Sequence, residues 1–223
     1  MSLLRLRSLV RPQRVVSIAS HRLYSTALPT NCPSCSKPLP TRLPICSSCS
    51  HIAPLPPSTT YYSLFDLPEN TYKLDTRDLR NRFLKTQRLT HPDAWSAKPE
   101  KDKAAAANYS SFVNKGYETL KSPLRRAEYL LSLRGTEMGE TDSLEDQHFI
   151  MEIMDTRESV EEAESRSDLE GLLADNNAQV QGEIDAISNA FDSGDLQTAK
   201  EASVRLKYRL GVTDSINARL HDM

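Results

Sequence analysis

No apolar run in the 223-residue chain approaches the roughly 18 residues a membrane-spanning helix needs, which excludes membrane insertion. Glycine is scarce, at seven residues with none before residue 60, which excludes collagen-like and low-complexity classes. There is no Gly-rich phosphate loop and no Gly-x-Ser-x-Gly turn. The five histidines (His21, His51, His91, His148, His221) are scattered without metal-ligand spacing to a carboxylate. No catalytic constellation emerges, so the chain is expected to act without a catalytic site of its own. Acidic residues are missing from the first 60 positions, which hold seven basic ones (Arg5, Arg7, Arg11, Arg14, Arg22, Lys37, Arg42). The rest of the chain has 21 basic against 30 acidic residues, a net charge of −9. Between Glu137 and Glu170 there are 13 acids against Arg157 and Arg166, a surface that disfavours nucleic acid and anionic membranes.

What is present divides along the chain. Residues 1–24 are rich in Arg and Ser, and Leu3, Leu6, Leu9 and Val10 would give a helix one apolar and one basic face, as in a mitochondrial transit peptide. A basic tail for polyanions is the other reading of such a segment. Arg22-Leu23-Tyr24-Ser25 resembles a matrix-processing site, so a mature chain starting near Ser25 in the mitochondrial matrix is expected.

Nine of the 13 prolines lie before residue 60. Residues 25–58 therefore cannot be helical, and their few large apolar side chains give them no core of their own. Cys32-Pro33-Ser34-Cys35 and Cys46-Ser47-Ser48-Cys49 use all four cysteines in two C-x2-C knuckles, a donor set suited to one tetrahedral, structural zinc. Paired disulfides and a redox Cys-x-x-Cys are the competing readings, the latter normally lying near a βαβ pattern absent here. His21 and His51 are expected to be bystanders. The order of residues 26–58 should then depend on metal, while the helices from Tyr61 onward stand without it.

From Tyr61 the pattern is helical. A short turn over Tyr61–Leu67 stops before Pro68. A helix capped by Asp75 or Thr76 runs to Thr90, with Leu79, Phe83 and Leu84 inward and Arg80, Arg82, Lys85 and Arg88 outward. Another spans about Glu100–Lys121, with Ala104, Ala107, Val113, Tyr117 and Leu120 as its buried side. Three more helices are expected, at about 144–164, 168–192 and 195–210, with Gly194-Asp195 at the last turn. Phe149, Ile153 and Val160 form an inward stripe on the first of them, leaving Ile150, Met151 and Met154 on another side beside Asp155 and Glu158. On the last, Leu196, Ala199, Leu206 and Leu210 face inward and Tyr208 points nearly opposite. Taken alone, that second stripe could simply pack against a neighbouring helix.

His91-Pro92-Asp93, between a basic amphipathic helix and a long one, with Tyr62-x-Leu64-Phe65-x-Leu67 upstream, resembles a J-domain, the module that stimulates ATP hydrolysis by DnaK-type chaperones. Asn114 through Leu131, with Phe149-Ile150-Met151-Glu152 further on, resembles HscB-type co-chaperones of iron–sulfur cluster biogenesis over about residues 60–215; the cysteine module resembles one found ahead of the J-domain in some mitochondrial members. The sequence departs from that pattern at Gly116, where alanine is usual and where glycine costs a helix about 1 kcal/mol, and at Trp95, near a frequent Lys-Phe.

The resemblance implies an all-α fold: a J-domain at 60–134, a C-terminal three-helix scaffold-binding bundle at 140–223, and a small tetracysteine knuckle ahead of both. It implies that His91, Pro92 and Asp93, with Arg80, Arg82, Lys85 and Arg88, trigger a mitochondrial DnaK-type ATPase. It also implies that Ile150, Met151, Met154, Asp155, Glu158 and Tyr208 grip the iron–sulfur scaffold protein, where Met and Tyr within an acidic rim suit a binding surface. A zinc-ribbon nucleic-acid protein and a general J-protein for unfolded clients are the alternative classes.

Overall fold

A computed structural model describes residues 28, 30–139 and 146–223. The expected transit peptide and His21 lie outside the described residues. Among the described residues the fold is all-α, with two isolated β-bridges, Asn31 to Pro38 and Ile45 to Ile52, in the cysteine module. The helices are α1 (Tyr61–Leu64), α2 (Thr76–Thr90), α3 (Pro92–Trp95), α4 (Glu100–Lys121), α5 (Pro123–Leu133), α6 (Gln147–Glu162), α7 (Arg166–Ser193) and α8 (Leu196–Asp222). No described helix is long and apolar enough to cross a membrane.

Helices α2 and α4 pack as a hairpin, with α1 and α5 against α4. The start of α2 is fixed by Asp75, whose carboxylate accepts the Arg77 and Asp78 amides at 2.8 and 3.3 Å. Its buried stripe is Leu79, Thr86 and Thr90, with Phe83 half-buried and stacked on Tyr117 at 4.1 Å. Leu84, expected inward, is 39% exposed, because the period set by Leu79, Phe83, Thr86 and Thr90 turns it toward solvent. On α4 the buried residues are Ala106, Tyr109, Val113, Gly116 and Leu120. Ala104 and Ala107 are exposed and Tyr117 is half-buried, a corrected face for that helix. The large Tyr109 sets the orientation, which small alanines cannot.

Helix α8 is the central strut, packed against α5, α6 and α7. It runs to Asp222 and not to about 210, because Val212 and Ile216 continue its buried stripe beyond Gly211. The α7–α8 turn has Gly194 at φ 78°, the left-handed conformation that ends helices, and Asp195 caps α8 through the Thr198 amide at 3.0 Å. Two clusters result. One joins Leu130 and Leu131 of α5 to Ile187, Phe191, Ala202 and Leu206; the other joins Phe149, Ile153 and Val160 of α6 to Leu169, Val212 and Ile216.

The cysteine module is not the separate unit expected of it. Leu43 and Ile45 are fully buried in the same cluster as Tyr62, Phe65 and Leu79, with Ile52 and Leu55 packed against it. The module borrows its core from the helices. Arg42 pairs with Asp66, Lys98 Nζ donates to Ser50 Oγ at 2.9 Å, and the Tyr109 hydroxyl donates to the Ala53 carbonyl.

Arg126, 6% exposed, has no carboxylate paired with it among the described residues. Its guanidinium donates to the carbonyls of Leu120 (2.7 Å), Tyr72 (2.7 Å) and Lys121 (3.4 Å) and lies over the Tyr72 ring at 5.2 Å. Tyr72 in turn stacks on Phe191 of α7 at 5.5 Å. Arg126→Met should cost about 3 kcal/mol in urea denaturation, since it leaves buried carbonyls unpaired; a loss under about 1 kcal/mol would mean water replaces the guanidinium. Gly116 offers a second test. A Cβ there would stand 2.8 Å from Tyr61 Cδ1 and 3.3 Å from Phe65 Cε2, and the Tyr61 ring is held between Phe112 and Tyr129 at 5.3 and 4.6 Å. Overpacking of about 1–3 kcal/mol outweighs the roughly 1 kcal/mol propensity gain. Gly116→Ala should therefore lower stability, and a higher midpoint would show that the ring moves aside freely.

Candidate functional site

The His91-Pro92-Asp93 tripeptide sits between α2 and α4. His91 ends α2 and caps α3, its Nδ1 accepting the Asp93 amide at 3.3 Å. A neutral ring in that arrangement has its proton on Nε2, which remains as a donor. Pro92 occupies the first turn of α3, where its missing N–H costs nothing. All three side chains are exposed, Asp93 to 90%. Trp95 is the fastener beneath them: 5% exposed, it donates its indole N–H to the Leu89 carbonyl at 2.7 Å. A residue that read as a departure thus anchors the loop, and Lys98 ties the far end to Ser50.

Arg80, Lys85 and Arg88 are exposed on α2. Arg82 is placed differently: its Nε binds Asp78 at 2.8 Å and its Nη1 donates to the Phe65 and Asp66 carbonyls at 3.1 and 2.7 Å. That side chain fastens α2 to the end of α1.

On α6, Met151 and Met154 are each 63% exposed, with Asp155 and Glu158 also in solvent. Ile150 and Tyr208 are half-buried against the α6–α8 cluster, and Tyr208 meets the Phe149 ring edge-on at 6.1 Å. Tyr208 does not point away from all packing, because α6 covers the face of α8 that the wheel left outside. Beneath the patch, buried Arg209 reaches Glu152 at 2.7 Å and lies over Phe149 at 5.1 Å, while Asn176 Nδ2 donates to the Arg209 carbonyl at 3.0 Å. Sequence reading missed Arg126, Arg209 and Arg42. The first two had a signal: each falls on the buried stripe of its helix, Arg126 beside Ala127 and Leu130, and Arg209 between Leu206 and Val212.

The four cysteines converge, their sulfurs all within 4.8 Å of one another. Cys32 Sγ and Cys49 Sγ are 3.6 Å apart, as are Cys35 Sγ and Cys46 Sγ, and the thiols are free. Four sulfurs around one zinc at about 2.3 Å would stand roughly 3.8 Å apart, so the donor set fits a tetrahedral ion. The knuckles repeat one backbone design. Cys32 N donates to Lys37 O (2.8 Å) and Ser36 N to Cys32 O (2.9 Å); Cys46 N donates to His51 O (3.0 Å) and Ser50 N to Cys46 O (2.9 Å). Ser36 and Ser50 take the left-handed conformation, at φ 59° and 57°, where glycine would be easiest. The backbone amides of Cys49 and then Ser48 hold the Cys46 thiol down at about 6, against desolvation. At Cys35 the Lys37 amide also favours thiolate, but desolvation and the three neighbouring sulfurs outweigh it and leave the thiol at about 11. Four thiolates this close are mutually stable only around a cation.

The helical hairpin with His-Pro-Asp at its turn, the three-helix bundle behind it and the four-cysteine knuckle ahead of it define a J-domain protein of the co-chaperone type. Residues 145–217 match the HSCB C-terminal oligomerisation domain. The chain is 35% identical over 172 residues to the iron–sulfur cluster co-chaperone protein HscB of Mus musculus, covering 77% of this chain and 73% of that one. It is 33% identical over 175 residues to the protein of the same name from Homo sapiens, covering 78% and 74%. The crystal structure of human co-chaperone protein HscB superimposes with a TM-score of 0.76 at 31% identity, covering 86% of this chain and 100% of that chain. The chain belongs to the HscB co-chaperone family.

Chelation tests the cysteine site. Protein purified without added metal should hold about one zinc, with no titrating thiol before chelation and four after it. Because Leu43 and Ile45 lie in the helical core, chelation or Cys46→Ser should also lower the melting temperature of the helices. Four freely titrating thiols in untreated protein would rule the site out.

Proposed function

We propose that the protein is a mitochondrial matrix co-chaperone that binds the iron–sulfur cluster scaffold protein and presents it to a DnaK-type chaperone, stimulating that partner's ATPase. Its basic, acid-free leader supports the location, and the names of its relatives support the pathway. Chemistry and energy come from the partner; this chain positions.

The observation that carries the reading is the continuous packing between two exposed surfaces. The chain of packed helices from α2 to α6 runs through α4, α5 and α8. A loop fastened by Trp95 and a patch latched by Arg209 are thereby held in one orientation, so a client on the patch is delivered to the partner's reach at high effective concentration. His91, Pro92 and Asp93 act at the trigger, with Arg80, Lys85 and Arg88 steering an acidic partner and Arg82 fixing α2 beside them. On the client side, Met151 and Met154 supply adaptable apolar contact, Ile150 and Tyr208 support them from the half-buried edge, and Asp155 and Glu158 form the rim. Cys32, Cys35, Cys46 and Cys49 would hold one zinc, which supplies a structural cross-link between the two knuckles.

His91→Gln or Asp93→Asn, both exposed positions, should leave melting unchanged and remove ATPase stimulation; full stimulation by folded His91→Gln protein would refute the trigger. Met151→Ala combined with Met154→Ala should weaken scaffold binding by about 2 kcal/mol or more in calorimetry, with helicity and melting unchanged. Unaltered affinity would move the client surface elsewhere.

A further inference from the structure

The cysteine module lies alongside α2, and two of its polar ties flank that helix. Ser50 receives Lys98 just after the His-Pro-Asp loop, and Arg42 grips Asp66 just after α1, through Nε at 2.8 Å and Nη2 at 2.5 Å to the same carboxylate oxygen. Between module and helix is a cleft of about 220 Å³, lined by Thr41, Arg42, Asp66, Arg82, Lys85 and Thr86 among others. Arg82 is committed to Asp78 and to main-chain carbonyls. Lys85 is exposed, with no hydrogen bond or ion pair among the described residues. The Nη1 side of the Arg42 guanidinium is likewise uncommitted. Three cations thus face this cleft against the carboxylates of Asp66 and Asp78, leaving a positive charge at its mouth, on the flank of the helix that also exposes Arg80 and Arg88.

We propose that the cysteine module extends the docking surface of α2, and that Arg42 and Lys85 together form a notch for an Asp- or Glu-bearing segment of the ATPase partner. The proposal rests on the reading of α2 and the His-Pro-Asp loop as that partner's docking site. Arg42 suits the role because a guanidinium fork already oriented by one carboxylate can receive a second on its free edge, and a planar fork loses little freedom in doing so. Lys85, one helical turn from Arg82, adds a point charge that can follow the partner's side chain. Asp66 is then both orienter and competitor. The module would contribute to recognition directly, beyond holding a metal.

The test uses the full mature chain and a purified mitochondrial DnaK-type ATPase, with the concentration for half-maximal stimulation read at low and physiological salt. Arg42→Ala and Lys85→Ala should each raise that concentration about fivefold at low salt and less at physiological salt, with maximal stimulation kept. Asp66→Asn decides between recognition and mere fastening. It removes the negative charge from the same intramolecular pair and loosens its hold on the guanidinium while an amide oxygen can still accept from it, so it should bind as tightly as wild type or more tightly. If Asp66→Asn weakens stimulation as Arg42→Ala does, the pair only holds the module in place and the proposal fails. If Arg42→Ala melts early, Asp66→Asn still decides it. Unchanged behaviour of folded Arg42→Ala beside a His91→Gln protein that has lost stimulation would overturn the notch alone; retained stimulation by His91→Gln would instead overturn the trigger reading beneath it.

Discussion

The arrangement of the whole molecule depends on one buried cation. Arg126 is removed from water without a carboxylate paired with it among the described residues, and burial pushes its pKa down, opposed by the nearby Tyr72 and Tyr62. A guanidinium stays charged even so, and a buried charge must be met by dipoles. Here the dipoles are the last carbonyls of α4, where the helix end is already negative, and the Tyr72 carbonyl from the segment ahead of α2. One side chain therefore fixes the α4–α5 corner, the approach to α2 and, through the Tyr72 ring on Phe191, the seat of α7. Arg134 lies over the same Phe191 ring at 5.2 Å and adds a second contact to the junction. Hairpin and bundle share one core at this corner.

That shared core changes what a metal at the cysteines would mean. An ion that binds the folded knuckles and not the unfolded chain adds its binding free energy to folding. With Leu43 and Ile45 buried among hairpin residues, the gain reaches α1, α2 and α4 and not the module alone. The same contacts set Ser50 against Lys98 and Arg42 against Asp66, so the module's backbone and the flank of α2 stand or fall together.

Legibility followed the size and polarity of side chains. Helices α2 and α6 could be read because Leu79 and Phe83, and Phe149, Ile153 and Val160, place bulk at helical spacing behind a capping Asp. The face of α4 could be read in its second half, where Val113 and Leu120 are buried as expected, but not along its run of alanines, where Tyr109 sets the orientation. The expected end of α8 at about 210 falls beside Gly211, yet the buried Val212 and Ile216 carry the helix on past a glycine whose local cost is about 1 kcal/mol. The four-cysteine spacing pointed to a convergent donor set, and the four sulfurs do converge, whereas the burial of Leu43 and Ile45 in a proline-rich stretch depended on contacts far along the chain. Arg126 and Arg209 escaped because a charged residue is by default assigned to solvent, although each interrupts an otherwise apolar stripe.

Charge sets the two proposed surfaces apart. The exposed cations of α2 and the acids around Met151 and Met154 belong to elements linked only through successive packed helices. At physiological ionic strength exposed charges are screened beyond about 8 Å, so neither field cancels the other and each acts on what comes close. A partner complementary to the basic helix gains nothing at the acidic rim, and a partner suited to that rim is repelled by the basic face. On the proposed reading, two macromolecules are sorted to two places by encounter, before apolar contacts form, with packed helices between those places. Surfaces of opposite charge joined through packed helices would, on that reading, let a protein with no catalytic constellation in its sequence hold two partners at once.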